Sequence, residues 1–191
     1  MGERPTKLVL ASSSPRRREL LADAGYELEV VYPSDSAECG ICSQETPPEV
    51  VARLAYQKAR DVALRTEVGI IIGCDTIAEC CGQVLGKPRD RQHAAWMLRL
   101  LRGREHRVYS GLCLCRRPGD KSLVNMDTTT LKMENLSDAQ LEEYLDSGAW
   151  QGKAGGFGLQ DRHGWLQIVA GSESNVVGLP LELLADMLAR I

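Results

Sequence analysis

The apolar run Val68-Gly69-Ile70-Ile71-Ile72-Gly73-Cys74, ending on Asp75, constrains the fold of this chain more than any other stretch. It carries no charge and no alternation with polar residues, so a strand built from it buries both faces. Such a strand belongs at the centre of a sheet with helices on either side. The segments around it supply those layers. Residues 8–12 read as a short buried strand and 15–24 as a helix, with Pro15 at the first helical position and Gly25 as its stop.

A second strand over 28–32 leads into the polar stretch PSDSAECGICSQETPP, a loop placed to border a site, and then into a helix over 49–65. Beyond Asp75, the segment TIAECCGQVLGKP reads as a hairpin turning near Gly82. A helix begins at Asp90, gathers Ala94, Met97, Leu98 and Leu101 on one face and stops at Gly103. Strands over 106–115 and 123–133 are antiparallel candidates about the turn Pro118-Gly119-Asp120. Ser137 caps a helix reaching Asp146, residues 152–158 form a glycine-rich loop, 165–169 a strand, and 180–190 the closing helix. The sum is an α/β fold with a mixed sheet. At 191 residues, with 43% hydrophobic and 26% charged content and no repeat or linker, a single folded unit over 1–191 is expected.

Charge and cysteine usage narrow the partners. The chain has 23 basic against 26 acidic residues and one Phe, so it lacks both the basic stripe and the aromatic platform that hold nucleic acid. A small, locally bound anion is the expected partner. The apolar run near the N-terminus is too short for a signal peptide or a membrane span, so neither a membrane nor export is expected and the cytoplasm is the expected compartment. Seven cysteines, mostly within apolar runs such as GLCLC, fit reduced buried thiols. Cys39 and Cys42 form a C-x-x-C with no second pair at zinc-site spacing.

Chemistry concentrates at a few points. Ser12-Ser13-Ser14-Pro15-Arg16-Arg17-Arg18 lies at a strand-to-helix junction, where unpaired N–H groups and the helix dipole already attract an anion. Three arginines there oppose the dipole, which a bound phosphate would offset; the alternative is a solvated basic turn. Lys58 shares the apolar face of its helix with Val51, Ala55 and Val62, and either snorkels to the surface or projects into a cleft. Asp75, read as the end of its strand, is placed as a metal ligand or base, or as a chain-turning residue. Ile77 stands where a haloacid-dehalogenase-type phosphatase needs a second Asp. Gly86-Lys87-Pro88 offers another cation, and GKAGGFG brings backbone amides towards a ligand. No Walker-type or dinucleotide-binding glycine motif is present, and His93, His106 and His163 have no nucleophile in pattern with them.

Together, LASSSPRRRELL, the QKA of the second helix, GCDTIAE…GKPRD, GKAGGFGLQD and SNVVGLPLELL resemble, in order and over nearly the whole chain, the Maf family. The resemblance implies a Maf/ITPase-like fold, with a long mixed sheet, flanking helices and two lobes around a central cleft. It also implies a homodimer and divalent-metal-dependent cleavage of nucleoside triphosphates between the α and β phosphates, with magnesium or manganese the expected cation. By this resemblance Asp75 matches the proton acceptor and shares metal binding with Glu38, with Asp35 the alternative; Ser12, Arg17, Lys58 and Lys87 match phosphate-contacting positions. Arg16, Thr76 and Gln160 resemble the branch acting on dTTP and UTP, modified pyrimidines included, rather than the branch acting on 7-methyl-GTP. An amide at Gln160 suits the donor and acceptor edge of uracil or thymine. The departure is Asp161, where the family pattern has a small residue, usually Gly. A regulator of cell division that binds nucleotide without hydrolysing it is the rival of another class, and the intact Asp75, Glu38 and Lys87 count against it.

Overall fold

The computed structural model describes residues 7–38, 45–161 and 164–191, without the side chains of Glu38 and Gln160. Its elements in chain order are β1 (Leu8–Ala11), α1 (Pro15–Asp23), β2 (Leu28–Val31), α2 (Pro47–Ala63), β3 (Gly69–Cys80), β4 (Gln83–Leu85), α3 (Arg91–Leu101), β5 (Glu105–Arg117), β6 (Ser122–Met133), α4 (Asp138–Asp146), β7 (Leu166–Ala170), α5 (Glu173–Val177) and α6 (Leu181–Leu188). Short 3-10 turns lie at Asp35–Glu38, Ala154–Gly156 and Leu159–Asp161. The sheet runs β2-β1-β3-β5-β6-β7, with β4 paired to β3. β1 is parallel to β2 and β3, and every other pairing is antiparallel, so the sheet is mixed.

The apolar run and the expected hairpin arm are one strand. β3 continues through Asp75 to Cys80 because β5 pairs with it without interruption from Gly69↔Arg117 to Glu79↔Arg107. Asp75 therefore lies in mid-strand, which corrects its reading as a strand end. What ends nearby is β1, whose last residue Ala11 pairs with Gly73. β4 takes up the same edge only from Ala78↔Leu85. Between them, residues 74–77 of β3 have no strand partner on that side among the described residues. Roughly 16 Å separates Gly73 from Ala78 along the strand, and the cleft is built on this uncovered edge.

Packing on the two sheet faces differs. On one face α2 lies along the sheet, covering Val9, Ile71, Cys113 and Ile77 with Val50, Val51, Ala55, Ala59 and Val62. It can approach closely because Gly73 and Gly111 present no side chain: a Cβ on either would fall 2.2 Å from the Ala55 carbonyl oxygen or 2.1 Å from that of Val51. Its start lies at Pro47 rather than 49, since Thr46 is the N-cap, Pro47 occupies the first turn, and the Glu49 carboxylate accepts from the Thr46 amide at 2.8 Å.

The opposite face carries two separate apolar clusters. Ile70, Ile72 and Cys74 of β3 pack with Leu21 of α1 and Leu184 and Met187 of α6. Ala78 and Cys80 pack with Met97, Leu98 and Leu101 of α3 and Leu141 and Tyr144 of α4. The same period-2 face links them, and the residue between is Thr76, opposite Ser110 of β5. A polar interruption in an otherwise apolar row divides the molecule into two lobes with a cleft between.

Candidate active site

A cavity of about 380 Å³ occupies that cleft. Its wall includes Ser12, Arg16, Arg17, Lys58, Asp75, Thr76 and Lys87, seven residues singled out from the sequence and drawn from α1, α2, β3 and the loops after β1 and β4. Asp75 and Thr76 point to opposite faces of β3 yet line one cavity, which follows only if it wraps the uncovered strand edge. The side chains of Gln160 and Glu38 lie outside the described residues, as do Cys39, Cys42 and His163.

The N-terminus of α1 opens on this cavity. Ser14, its N-cap, makes no side-chain bond to the helix, and no acidic residue occupies the first turn. The first N–H groups and their dipole are thus left to an anion from solvent. Ser12 is buried, and its Oγ accepts from the Ser14 amide at 3.1 Å, which shapes the turn.

Lys58 does not snorkel. Its ammonium donates to Asp75 Oδ1 at 2.7 Å, with only 8% and 15% of the two side chains exposed. α2 sets this contact: Ala55 and Ala59 sit over Gly73, so Lys58, beside Ala59, falls over Asp75 two residues along β3. Asp75 Oδ2 makes no hydrogen bond among the described residues. The lysine orients the carboxylate and leaves one oxygen to accept.

Arg17 is held rather than extended. Its Nε donates to the Gly178 carbonyl at 2.7 Å and its terminal nitrogens to Ser12 Oγ at 3.3 Å and Thr76 Oγ1 at 3.1 Å. Thr76 Oγ1 also donates to the Gly178 carbonyl at 3.2 Å and lies 2.8 Å from Ser110 Oγ. Asn175 of α5 donates to the Val108 carbonyl and to Thr129 Oγ1, which fixes the turn bearing Gly178 onto β5 and β6. These bonds span up to 161 positions of sequence. They place the Arg17 charge and the Thr76 hydroxyl at the cleft floor in fixed orientation.

Arg16 reaches across the mouth of the cleft to the Gly152 carbonyl, 2.8 Å away on the far lobe. Burial, and then the charge of Arg17, lower its pKa. Lys87 is exposed at the rim. Away from this polar end the wall becomes apolar, with Ala78, Leu101, Val108, Leu131, Phe157 and Leu166. His106, read from the sequence as having no role, is buried in that wall, and burial lowers its pKa. Asp161 is absent from the described cavity wall. Its carboxylate accepts from Tyr144 Oη at 2.7 Å and from the Gly158 amide at 3.1 Å, and pairs closely with Lys153, which does line the cavity.

The arrangement has one end rich in cations, hydroxyls and helix N–H groups and another that is apolar, the distribution that suits a phosphorylated molecule with a flat ring. Among the described residues Asp75 is the only carboxylate on the wall, and no group of three or more His, Cys, Asp or Glu side chains gathers as a cation site. So sparse a donor set fits a divalent ion of the kind held by one or two carboxylates together with substrate phosphates.

Fold and cleft together define an α/β protein built to hold a phosphorylated ligand across a mixed sheet. The family model "Maf-like protein" matches residues 7–191, and the chain belongs to the Maf family. A dTTP/UTP pyrophosphatase of Rhodopirellula baltica is 56% identical over 185 residues, covering 96% of this chain and 82% of the relative. One of Symbiobacterium thermophilum is 42% identical, covering 96% and 93%. The solved structure of a HAM1 protein from Coxiella burnetii superposes with a TM-score of 0.52 at 17% identity, over 97% of this chain and 100% of that one, a likeness of fold.

Proposed function

We propose that this chain hydrolyses dTTP and UTP, and modified pyrimidine nucleotides of the same shape, to the nucleoside monophosphate and pyrophosphate. The observation that carries the reading is the Lys58–Asp75 pair, set on the uncovered edge of β3 within reach of the α1 N-terminus. The 56% identity to a protein named for this activity supports the substrate class.

In this reading the triphosphate lies along Ser12, Arg16, Arg17 and Lys87, where N–H and guanidinium donors meet its charge. Water adds to phosphorus, the α–β bridging P–O bond breaks, and the water's proton passes to Asp75 Oδ2. Lys58 holds Oδ1 so that the free oxygen faces the water. Asp75 and Glu38 would hold a divalent cation, magnesium or manganese, which when bound neutralises phosphate charge. Thr76 holds Arg17 in place, and Gln160 reads the base edge. The compartment proposed is the cytoplasm, supported by five free thiols among the described residues. The assembly proposed is a homodimer, supported by the family resemblance.

The test is pyrophosphate release from dTTP, UTP, CTP, 7-methyl-GTP and dATP with magnesium or manganese and without metal. Turnover of dTTP and UTP with metal present is expected. Turnover of 7-methyl-GTP alone would move the chain to the other branch, and binding without turnover of any nucleotide would make it a nucleotide-binding regulator.

A further inference from the structure

Three segments meet at Asp161. Tyr144 comes from α4, Lys153 and Gly158 from the glycine-rich loop, and the aspartate itself from the turn Leu159–Asp161, which also carries Gln160. The carboxylate is 9% exposed and the Lys153 side chain 13%. Two opposite charges so largely withdrawn from solvent need a partner, and here each is the other's. Tyr144 is wedged against Phe157, with ring centroids 4.8 Å apart, and against Trp165 at 5.9 Å, so the hydroxyl approaches Asp161 from a packed aromatic cluster. The tyrosine stays protonated and donating, since burial and the neighbouring carboxylate raise its pKa far above neutrality.

Two consequences follow for the cleft. The turn bearing Gln160 is held by a side-chain clamp and not merely by its own backbone bond from the Asp161 amide to the Gly158 carbonyl at 3.1 Å. The ammonium of Lys153, which lies on the cavity wall, is bound to Asp161 rather than extended towards a ligand. A loose ammonium beside the base would donate to any acceptor, including N3 and O2 of cytosine, and would blur a distinction that rests on the donor and acceptor edge.

We infer that Asp161 is a positioning residue for base selection: it fixes the Gln160 turn and withholds Lys153 from the cavity, so that uracil and thymine are preferred over cytosine. This inference rests on the pyrimidine reading of the cleft proposed above. A glycine at 161 would supply none of the three contacts.

The test measures binding of α,β-methylene-UTP and α,β-methylene-CTP by calorimetry with magnesium present, alongside steady-state turnover of UTP and CTP. Asp161→Asn keeps the size of the side chain and removes its charge. Its preference for the uracil nucleotide should fall about tenfold, equivalent to about 1.4 kcal/mol. That loss should appear in Kd and KM, with kcat on UTP within about threefold of wild type. Lys153→Met/Asp161→Asn removes both charges and should recover at least half of the lost preference on a logarithmic scale. A preference within twofold of wild type in Asp161→Asn, an equal loss on both nucleotides, or no recovery in the double variant overturns the inference. Wild-type protein that binds the two analogues equally also overturns it, whatever turnover shows. Discriminating binding without turnover leaves it standing and defeats only the proposed hydrolysis.

Discussion

Replacing Gly73 with alanine tests whether the closeness of α2 to the sheet is what assembles the Lys58–Asp75 pair. The added methyl would sit 2.2 Å from the Ala55 carbonyl oxygen, 2.7 Å from the Ala59 amide nitrogen and 2.8 Å from the Ala59 Cβ. An unforced carbon–oxygen contact is about 3.3 Å, so the helix must lift by roughly 1 Å. Two of these atoms are helix backbone and the third, Ala59 Cβ, is fixed directly to it, so none can rotate away. A lift of that size carries Lys58 from 2.7 Å to beyond hydrogen-bond range of Asp75 Oδ1. Overpacking of this kind costs about 1–3 kcal/mol, and at about 2–4 °C per kcal/mol for a chain of this length the melting temperature should fall by about 2–12 °C. A misplacement of about 1 Å lowers turnover on the order of 100-fold. Differential scanning calorimetry and pyrophosphate release from dTTP, measured well below the new melting temperature, read the two effects. A variant that melts within about 2 °C of wild type and keeps its kcat would refute the reasoning, because α2 would then not depend on that glycine for its seat.

Lys58→Met should lower kcat for dTTP by on the order of 10²–10³ with KM changed less than threefold, as the proton acceptor loses its orientation but phosphate contacts remain; an unchanged kcat would remove Lys58 from the mechanism. His106 gives a pH effect of definite sign. Burial lowers its folded pKa, so the unfolded chain binds a proton first and the contribution of His106 is present above about pH 6.5 and lost as pH falls towards the folded value. Urea midpoints of wild type should therefore drop more steeply between about pH 7 and pH 5 than those of His106→Gln, and parallel curves would show that the imidazole does not titrate on unfolding.

Local signals carried much of the fold. The apolar run about Ile71, Pro15 at the first position of α1, Ser137 capping α4 and the 3.6-residue spacing of Ala94, Met97 and Leu98 all act over a few residues; α1, α3 and α4 stand within about two residues of their expected bounds, whereas β3 runs on past Asp75 to Cys80. The local pattern ends the strand at Asp75 because the partner that extends β3 is β5, more than thirty residues on. Thr76-Ile77-Ala78 has no pattern that distinguishes a strand from a turn. The five-residue helix α5 has no counterpart in the sequence pattern because ESNVV has too few turns to show a period, although Ser172 caps it by accepting from the Asn175 amide three residues on.

The residues that line the cleft were legible as a set but not as a geometry. Ser12, Arg17, Lys58, Asp75 and Thr76 stand out in the sequence and line one cavity, yet the sequence does not say that Lys58 pairs with Asp75 or that Arg17 spends its donors on Ser12, Thr76 and the Gly178 carbonyl. Those bonds depend on where β1 stops relative to β4 on a shared edge. Nothing in the sequence marks His106 or Lys153, because a lone histidine on an apolar strand and a lysine in a glycine loop carry no pairing signal. Asp161 stood out only as a departure from the family pattern, and its partner Tyr144 lies on a different helix.

The measurement closest to the central claim is turnover and binding by Asp75→Asn. The amide preserves size and can still face Lys58, but it cannot take a proton from water. Pyrophosphate release from dTTP should fall by at least about 10³-fold, while calorimetric binding of α,β-methylene-dTTP stays within about tenfold of wild type. Retained turnover in a folded Asp75→Asn protein would contradict the account and move the proton acceptor elsewhere, with Glu38 the next residue to replace.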